Sequence, residues 1–178
     1  MKKSFLEKYI RKSCGRIIHR FGTKPNSQRR YTMEGIKIIR LDEIESQTIP
    51  AADAPNAGWM KRAIYPPHVD TKRVYMALME LNPGFSAHRW HSHATIDKAE
   101  GYHIVYPEDF VEIYHLVSGS GVVQWKTEDG KIEEKKVGAG DTMYFSVGVP
   151  EHQLLNNGTD KMQIVIVGTP RPQLTFPK

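Results

Sequence analysis

The feature that most limits the fold of this chain is a succession of short apolar stretches separated by glycine and proline turns. Turn sequences such as Asn82-Pro83-Gly84 and Asn157-Gly158 interrupt the chain too often for long helices. Short strands joined by tight turns are typical of an all-β sandwich or barrel. A loop is expected at 46–58. The predicted strands are 36–41, 73–81, 85–93, 112–117, 122–126, 131–137, 142–147, 153–156 and 162–167.

Length and composition indicate one globular domain. The chain has 178 residues, of which 39% are hydrophobic and 25% charged, and this length allows a sizeable core. No apolar run approaches the roughly twenty residues of a membrane helix, and no signal-peptide pattern follows Met1, so we expect no membrane span. The single cysteine, Cys14, excludes an internal disulfide and fits a reducing compartment, which predicts a cytoplasmic location.

The positive charge is concentrated at the N-terminus. Residues 1–40 hold twelve Lys and Arg against two acidic residues, whereas residues 41–178 hold thirteen against eighteen. We therefore predict a basic N-terminal segment at 1–40, which contains a helix, a loop and the first strand, and a barrel domain at 41–178. Because the barrel itself is acidic, the overall net charge of +5 does not indicate nucleic-acid binding.

A weak helical period runs through residues 4–21, where Leu6, Ile10, Ile17 and Phe21 fall near one face among basic residues. One interpretation is a basic arm that meets an anionic surface, and another is an Arg-rich transit segment. The interpretation we favour is a helix that buries its apolar stripe on the barrel or on a subunit neighbour.

Three histidines and a glutamate stand at metal-ligand spacing. His91 and His93 are two residues apart, so a strand would point both to the same face. Glu112 begins an alternating run, and His152 follows the turn Gly148-Val149-Pro150. Neutral imidazoles with one carboxylate suit a divalent transition metal such as Fe, Mn, Ni, Co or Zn. Convergence of these four side chains would form a metal site.

At these residues the chain resembles the cupin superfamily. The first cupin motif is matched by Gly84, by His91-Ser92-His93 and by Glu112, which is separated from Gly119 by six residues. The second is matched by 140–156, which begins Gly-Asp and places a histidine four residues before an asparagine. The resemblance covers residues 72 to 170. It implies a small antiparallel jelly-roll barrel, metal ligands at His91, His93, Glu112 and His152, and a homodimer.

The chain departs from the cupin pattern most clearly within the first motif. Eighteen residues separate His93 from Glu112, where the family usually has three or four. The inserted segment, residues 94–110, begins and ends beside the predicted metal ligands. It is therefore placed to act as a lid or to contribute a catalytic base, for which Glu100 and His103 are the candidates. The alternative is a surface excursion without a role.

Strand alternation sorts the neighbouring side chains. Tyr114 shares the parity of Glu112 and should point into the barrel, where it would donate a proton or orient a substrate oxygen, or simply pack in the core. His115 has the opposite parity and is expected outside the pocket. Asp141 and Asn156 are interpreted as turn residues, because Asp and Asn bond readily to nearby backbone groups.

Two further residues lie close to His91 in the sequence. Arg89 shares its parity on the predicted strand and would bind a carboxylate or phosphate of the substrate, or else form a surface ion pair. His88 is an alternative ligand, but a spacing of three residues does not put it on the same strand face as His91. The sequence therefore disfavours His88.

Three histidines and one glutamate leave two positions open on an octahedral ion, which favours catalysis over a structural role. We expect a metal-dependent enzyme that acts on a small polar molecule, and an Fe(II) dioxygenase is the favoured reaction class. A sugar or sugar-phosphate isomerase, or a lyase or decarboxylase, would use the same metal site. A non-catalytic metal- or ligand-binding protein is the alternative from a different class.

Overall fold

The structure of the protein is a computed structural model that describes residues 37–49, 54–93, 96–99 and 102–175. The predicted helix at 4–21 and the candidate base Glu100 lie outside these residues. The boundary predicted between a basic segment and a barrel domain at residue 40 also stays a prediction. Residues 38 to 178 belong to one compact unit.

The described residues form twelve β-strands and a single 3-10 turn at Leu41–Glu43. All strand pairings are antiparallel, which confirms the all-β prediction. The strands are β1 (Gln47–Thr48), β2 (Gly58–Ile64), β3 (Tyr75–Leu81), β4 (Ile96–Ala99), β5 (Tyr102–Val105), β6 (Val111–Ser118), β7 (Ser120–Lys126), β8 (Ile132–Gly138), β9 (Thr142–Phe145), β10 (His152–Leu155), β11 (Met162–Thr169) and β12 (Gln173–Thr175).

Two sheets enclose the core. The larger sheet has the order β1-β2-β3-β11-β6-β9, and the smaller one has the order β10-β7-β8. Their inward side chains meet in one apolar cluster that includes Met79 of β3, Leu116 of β6, Leu154 of β10 and Ile164 of β11. A third sheet, β12-β5-β4, is built mostly from the inserted segment. This arrangement is the antiparallel jelly-roll that the sequence predicts.

Strict alternation fixes which side chains enter the barrel. In β11 the buried residues are Met162, Ile164, Ile166 and Gly168, every second position. In β6 the buried residues include Glu112, on the same face as two apolar neighbours. Because a shift of one residue would reverse every side chain, the register that buries Tyr114 and Leu116 also places Glu112 in the interior.

Two predictions near the start of the barrel are wrong. Residues 37–40 form no strand, and the chain continues into the turn at Leu41–Glu43; Ile38 is largely exposed, and none of the twelve described strands pairs with it. The segment 46–58 is not only a loop, because it contains β1 and the first residue of β2. All seven residues of β2 are half-buried, and polar and apolar residues do not alternate along the strand. Its sequence therefore lacks the period-two pattern by which a strand is predicted.

The segment predicted as a strand at 85–93 is irregular. It pairs with β10 only through isolated bridges, Ser86 to Leu155 and His91 to His152. The five steps from Ser86 to His91 therefore oppose only three steps on β10, and the two extra residues bend the chain out of the strand. Side-chain parity is lost across this bend.

The inserted segment has strands of its own. Strands β4 and β5 form a hairpin, and β12 near the end of the described chain pairs with β5. The sequence analysis predicted none of these three strands, because the short runs lack regular alternation. Among the described residues, no helix is long and apolar enough to cross a membrane.

The interpretation of Asp141 and Asn156 as turn residues agrees with their contacts. The Asp141 carboxylate accepts a hydrogen bond from the Gly138 N–H at 2.8 Å. Asn156 is fully buried, and its Nδ2 donates to the carbonyl oxygens of Leu81 and Asp160, both at 2.9 Å. Its Oδ1 accepts from the Gly158 N–H at 3.1 Å. Asn156 thus joins the β10–β11 turn to the end of β3.

Replacement of this buried amide tests its structural role. We expect Asn156→Ala to lower the free energy of unfolding by about 2–4 kcal/mol, because the buried Leu81 carbonyl, the part-buried Asp160 carbonyl and the Gly158 N–H lose their partner. Urea unfolding measures the change. Asn157→Ala is the matched control, since Asn157 is exposed, and it should change stability by less than about 0.5 kcal/mol. Equal effects of the two variants would contradict the role assigned to Asn156.

Candidate metal centre

All four predicted metal ligands lie in one region of the barrel interior, and each is buried. Possible ligand atoms of His91, His93 and Glu112 lie within 4.8 Å of one another. A second group of the same size consists of His88, His91 and His152. His91 belongs to both groups. It therefore lies near His152 as well as near His93 and Glu112. The sequence analysis disfavoured His88, yet the structure places it in the cluster.

The bend before His91 explains that error. In a regular strand residues three apart face opposite ways, so His88 was expected to point away from His91. Because residues 86 to 91 bulge, the His88 ring turns inward, and its centroid lies 4.1 Å from the His91 ring and 5.4 Å from the His152 ring. The bulge is visible because the two bridges enclose more residues on the segment 86–91 than on β10. No pattern in the sequence indicates it.

Backbone carbonyls orient two of the predicted ligands. The Nδ1 atom of His91 lies 3.3 Å from the Arg89 carbonyl oxygen, and the Nδ1 atom of His152 lies 2.9 Å from that of Pro150. A carbonyl only accepts hydrogen bonds, so Nδ1 carries the proton and Nε2 carries the lone pair. The Nε2 atoms of His93 and His152 are buried, and neither has a hydrogen-bond partner among the described residues. This donor set fits a divalent metal ion.

Burial keeps the imidazoles neutral. Loss of water lowers the pKa of His91 and His152 to about 4 and that of His93 to about 3. Neighbouring histidines reinforce the effect at His93 and His152, because a second positive charge nearby is unfavourable. Neutral imidazole is the form that binds metals, so the interior holds these side chains ready to bind an ion.

Glu112 is the acidic member of the cluster. Burial raises the pKa of its carboxyl to about 8, and a hydrogen bond with Tyr114 opposes the rise. Its Oε1 accepts a hydrogen bond from the Tyr75 hydroxyl, and its Oε2 lies 3.4 Å from His93 Nε2. A cation bound beside this oxygen would favour the ionised carboxylate.

Tyr75 is a site residue that the sequence analysis missed. It lies on β3, and Gly168 of β11 stands between it and Glu112 in the sheet register. A Cβ at position 168 would overlap the Tyr75 ring. The absence of a side chain at Gly168 therefore lets Tyr75 reach across β11 to Glu112. Only the strand order of the sheet reveals this contact.

The sequence analysis placed Tyr114 and His115 on opposite sides of β6, and the structure does the same. Tyr114 is buried, hydrogen-bonds Glu112, and its ring centroid lies 6.2 Å from that of His88. Burial, with the nearby Glu112, raises the Tyr114 pKa well above its usual range. His115 is exposed and bonds Thr142 Oγ1 at 2.9 Å.

Arg89 lies at the edge of the cluster. Its side chain is half-buried, and its positive charge contributes to the lowered pKa of His91. Its backbone carbonyl is also the oxygen that orients the His91 ring. The guanidinium is therefore close to the candidate ligands, as substrate binding would require.

The inserted segment covers one side of the centre. Tyr106 and Phe110 are buried, and their ring centroids lie 5.1 Å and 4.8 Å from that of His93. The described part of the segment thus lies against a candidate ligand, and its role as a lid, as the source of a base or as a surface excursion stays a prediction. His103 is half-buried on β5 and belongs to neither ligand group.

A cavity of about 360 Å³ opens beside His152. The ring of Phe145 forms one wall and stacks on His152, with 4.5 Å between the ring centroids. The wall is mostly apolar, and it offers room for a small molecule at the edge of the cluster. The lining residues are Val123, Trp125, Met143, Tyr144, Phe145, Val149, Pro150 and His152.

The metal-free protein should lose stability as the pH falls from 6.5 to 5. In this range the unfolded chain protonates its histidines, whereas burial keeps those of the cluster neutral. Each proton bound only by the unfolded chain contributes a slope on the order of 1.4 kcal/mol per pH unit. Glu112 opposes the slope, because its raised pKa adds stability at low pH that is lost towards pH 8.

Thermal unfolding of the metal-free protein across pH 5 to 8 measures this slope. His93→Phe removes one of the buried histidines and should flatten the decline below pH 6.5. His115→Gln is the control, because its side chain is exposed and lies outside the cluster, and it should leave the slope unchanged. A melting temperature that does not fall between pH 6.5 and 5 would contradict burial of neutral histidines.

Comparisons with known proteins agree with the fold. No protein-family model matches the sequence, and no curated protein matches it either. A polyketide cyclase from Streptomyces resistomycificus is 14% identical with a TM-score of 0.53, over 80% of this chain and 85% of that chain. A sugar phosphate isomerase of the cupin superfamily from Silicibacter pomeroyi is 16% identical with a TM-score of 0.53, over 80% and 82%.

A third solved structure carries the family name itself. A Cupin 2 conserved barrel domain protein from Salinispora arenicola is 19% identical with a TM-score of 0.51, over 76% of this chain and 89% of that chain. At these identities the likeness concerns the fold. The chain therefore has the cupin fold, as its two motifs predicted.

Proposed function

We propose that this chain is a metal-dependent enzyme that acts on a small molecule, with the ion held by His91, His93, Glu112 and His152. The observation that carries the proposal is the set of buried imidazole Nε2 atoms without hydrogen-bond partners among the described residues. Such atoms are costly unless a partner binds them. A divalent ion there would polarise a substrate oxygen and, as iron, would also exchange electrons with dioxygen.

The surroundings of the centre favour catalysis over a structural ion. Four protein ligands leave two positions of an octahedral ion open, whereas structural ions are usually enclosed by protein. The cavity beside His152 gives a small molecule access to this region. A substrate would place its polar group at the ion and its apolar part against Trp125 and Phe145.

Dioxygenation is the reaction we favour. A sugar phosphate needs several cationic and hydrogen-bonding groups along its length, whereas the described residues that line the cavity are mostly apolar, and Arg89 lies near the candidate ligands but outside this lining. An apolar substrate fits this lining better. A dioxygenase whose substrate supplies all four electrons for the reduction of dioxygen places both oxygen atoms in its products and needs no external reductant. The similar solved structures, a cyclase and an isomerase among them, differ in reaction, so the fold does not decide between these classes.

The remaining site residues have roles in this proposal. Tyr114 holds Glu112 and donates a proton to a substrate oxygen. Arg89 binds an anionic group of the substrate at the edge of the cluster. The inserted segment covers the centre and supplies a base, either His103 or Glu100. A homodimer in the cytoplasm remains the expected state of the protein, without bound nucleic acid.

Oxygen consumption tests the reaction class. We expect oxygen uptake that depends on added Fe(II) when the protein is supplied with a panel of small molecules, each with an apolar ring and one hydroxyl or carboxylate. His91→Ala should abolish uptake, because His91 belongs to both ligand groups. His115→Gln should retain it. An oxygen electrode, with mass analysis of the product under ¹⁸O₂, gives the measurement.

The alternatives give different results in the same assays. Full turnover with Zn(II) under anaerobic conditions would exclude dioxygenation and support an isomerase, lyase or decarboxylase. Tight metal binding with no turnover on sugar phosphates, carboxylic acids or aromatic compounds would support a non-catalytic binding protein.

A pair of tyrosine variants separates proton donation from the orientation of Glu112. Both Tyr75 and Tyr114 hydrogen-bond this carboxyl. We expect Tyr114→Phe to lower kcat by about 100-fold or more, as for loss of a general acid. Both variants should weaken metal binding by a similar factor. Tyr75→Phe should lower kcat much less than Tyr114→Phe does. Equal loss of kcat in the two variants would show that Tyr114 only orients Glu112.

A further inference from the structure

His88 has the environment of a metal ligand. Only 4% of the residue is exposed. Its Nδ1 lies 2.9 Å from the Arg89 carbonyl oxygen, so Nδ1 carries the proton and Nε2 carries the lone pair. That Nε2 atom is buried and has no hydrogen-bond partner among the described residues.

One backbone carbonyl serves two histidines. The Arg89 oxygen lies near the Nδ1 atoms of both His88 and His91. The two rings are nearly perpendicular, at 88°, with centroids 4.1 Å apart. The same contact therefore fixes the tautomer of both side chains and leaves two Nε2 lone pairs in one small region. This use of a shared carbonyl depends on the bend at residues 86 to 91.

The groups around His88 are acceptors. Possible ligand atoms of His88, His91 and His152 lie within 4.8 Å of one another, and His152 Nε2 is also buried without a partner. Tyr114 faces the His88 ring, but its hydroxyl hydrogen-bonds Glu112. When several nitrogen lone pairs point to one region that offers no hydrogen-bond donor, a single bound cation can interact with all of them.

We propose that His88 is a fourth histidine ligand of the metal centre. The inference rests on the metal centre of the proposed function and extends it. With His91, His93, Glu112 and His152 the ligand count becomes five, which leaves one position of an octahedral ion open. A substrate that binds the ion through two atoms does not fit such a centre. The cavity beside His152 would then hold the substrate mainly through its apolar walls.

Metal titrations test the assignment without any substrate. Co(II) binding to the metal-free protein is followed by calorimetry and by visible absorption. We expect His88→Ala to raise the Kd for Co(II) at least 100-fold, because loss of an outer partner alone costs 10–100-fold in affinity. Its absorption spectrum should also change, and added imidazole should restore much of the binding. The exposed His115→Ala is the matched control, with a Kd within about 2-fold of wild type.

A count of nitrogen ligands in the unaltered protein guards against variants that fail to fold. Pulsed EPR of the Cu(II)-loaded protein should detect four histidine nitrogens. His88→Gln, which keeps a polar side chain of similar length, should show three. Circular dichroism of each metal-free variant checks the fold.

Two results would overturn the inference in distinguishable ways. If wild-type protein binds Co(II) and His88→Ala binds it with the same Kd and spectrum, His88 is not a ligand and the centre proposed above stands. If wild-type protein binds neither Co(II) nor Zn(II), the metal centre itself is wrong and the role of His88 falls with it. Lack of turnover with four nitrogens detected would contradict only the proposed reaction.

Discussion

The structure depends on the burial of four imidazoles and a carboxyl in the interior of one small barrel. Burial makes every charged form unfavourable, so the histidines stay neutral and the pKa of Glu112 rises to about 8. The carbonyl oxygens of Arg89 and Pro150 accept Nδ1 protons, and the lone pairs remain inside. An interior arranged only for stability would hold apolar side chains here, so the cluster points to function.

The rest of the fold supports this interior at two levels. Apolar residues such as Met79, Leu116 and Ile164 form the core, and the alternation that buries them also fixes Glu112 inside. Gly168 then makes room for Tyr75, which reaches Glu112 across the neighbouring strand. The stability of the sheet and the position of the carboxyl therefore depend on the same strand register.

The sequence predicts the regular part of this structure and misses the irregular part. Strands β6 and β11 were predictable because short apolar runs bounded by turn residues are typical of strands, and in the structure every second residue of these strands is buried, apart from the end of β6. Residue type and spacing also predicted that His91, His93, Glu112 and His152 would lie together inside the barrel, as they do. His88 was not predictable, because a bulge depends on how many residues oppose β10. Tyr75 was not, because its contact depends on the order of the strands. Both residues are placed by pairing between distant segments.

The two sides of the centre differ, and this difference limits where a substrate can enter. On the His93 side, the rings of Tyr106 and Phe110 pack against the imidazole. These two residues follow β5 in the inserted segment, and β12 pairs with β5. On the His152 side, the cavity opens between Trp125 and Phe145. Under the proposed function, a small molecule would therefore approach past His152, because the described part of the inserted segment packs against the opposite side. Under the same proposal, movement of the hairpin as a lid would require the pairing between β12 and β5 to open, because β12 holds the hairpin through β5.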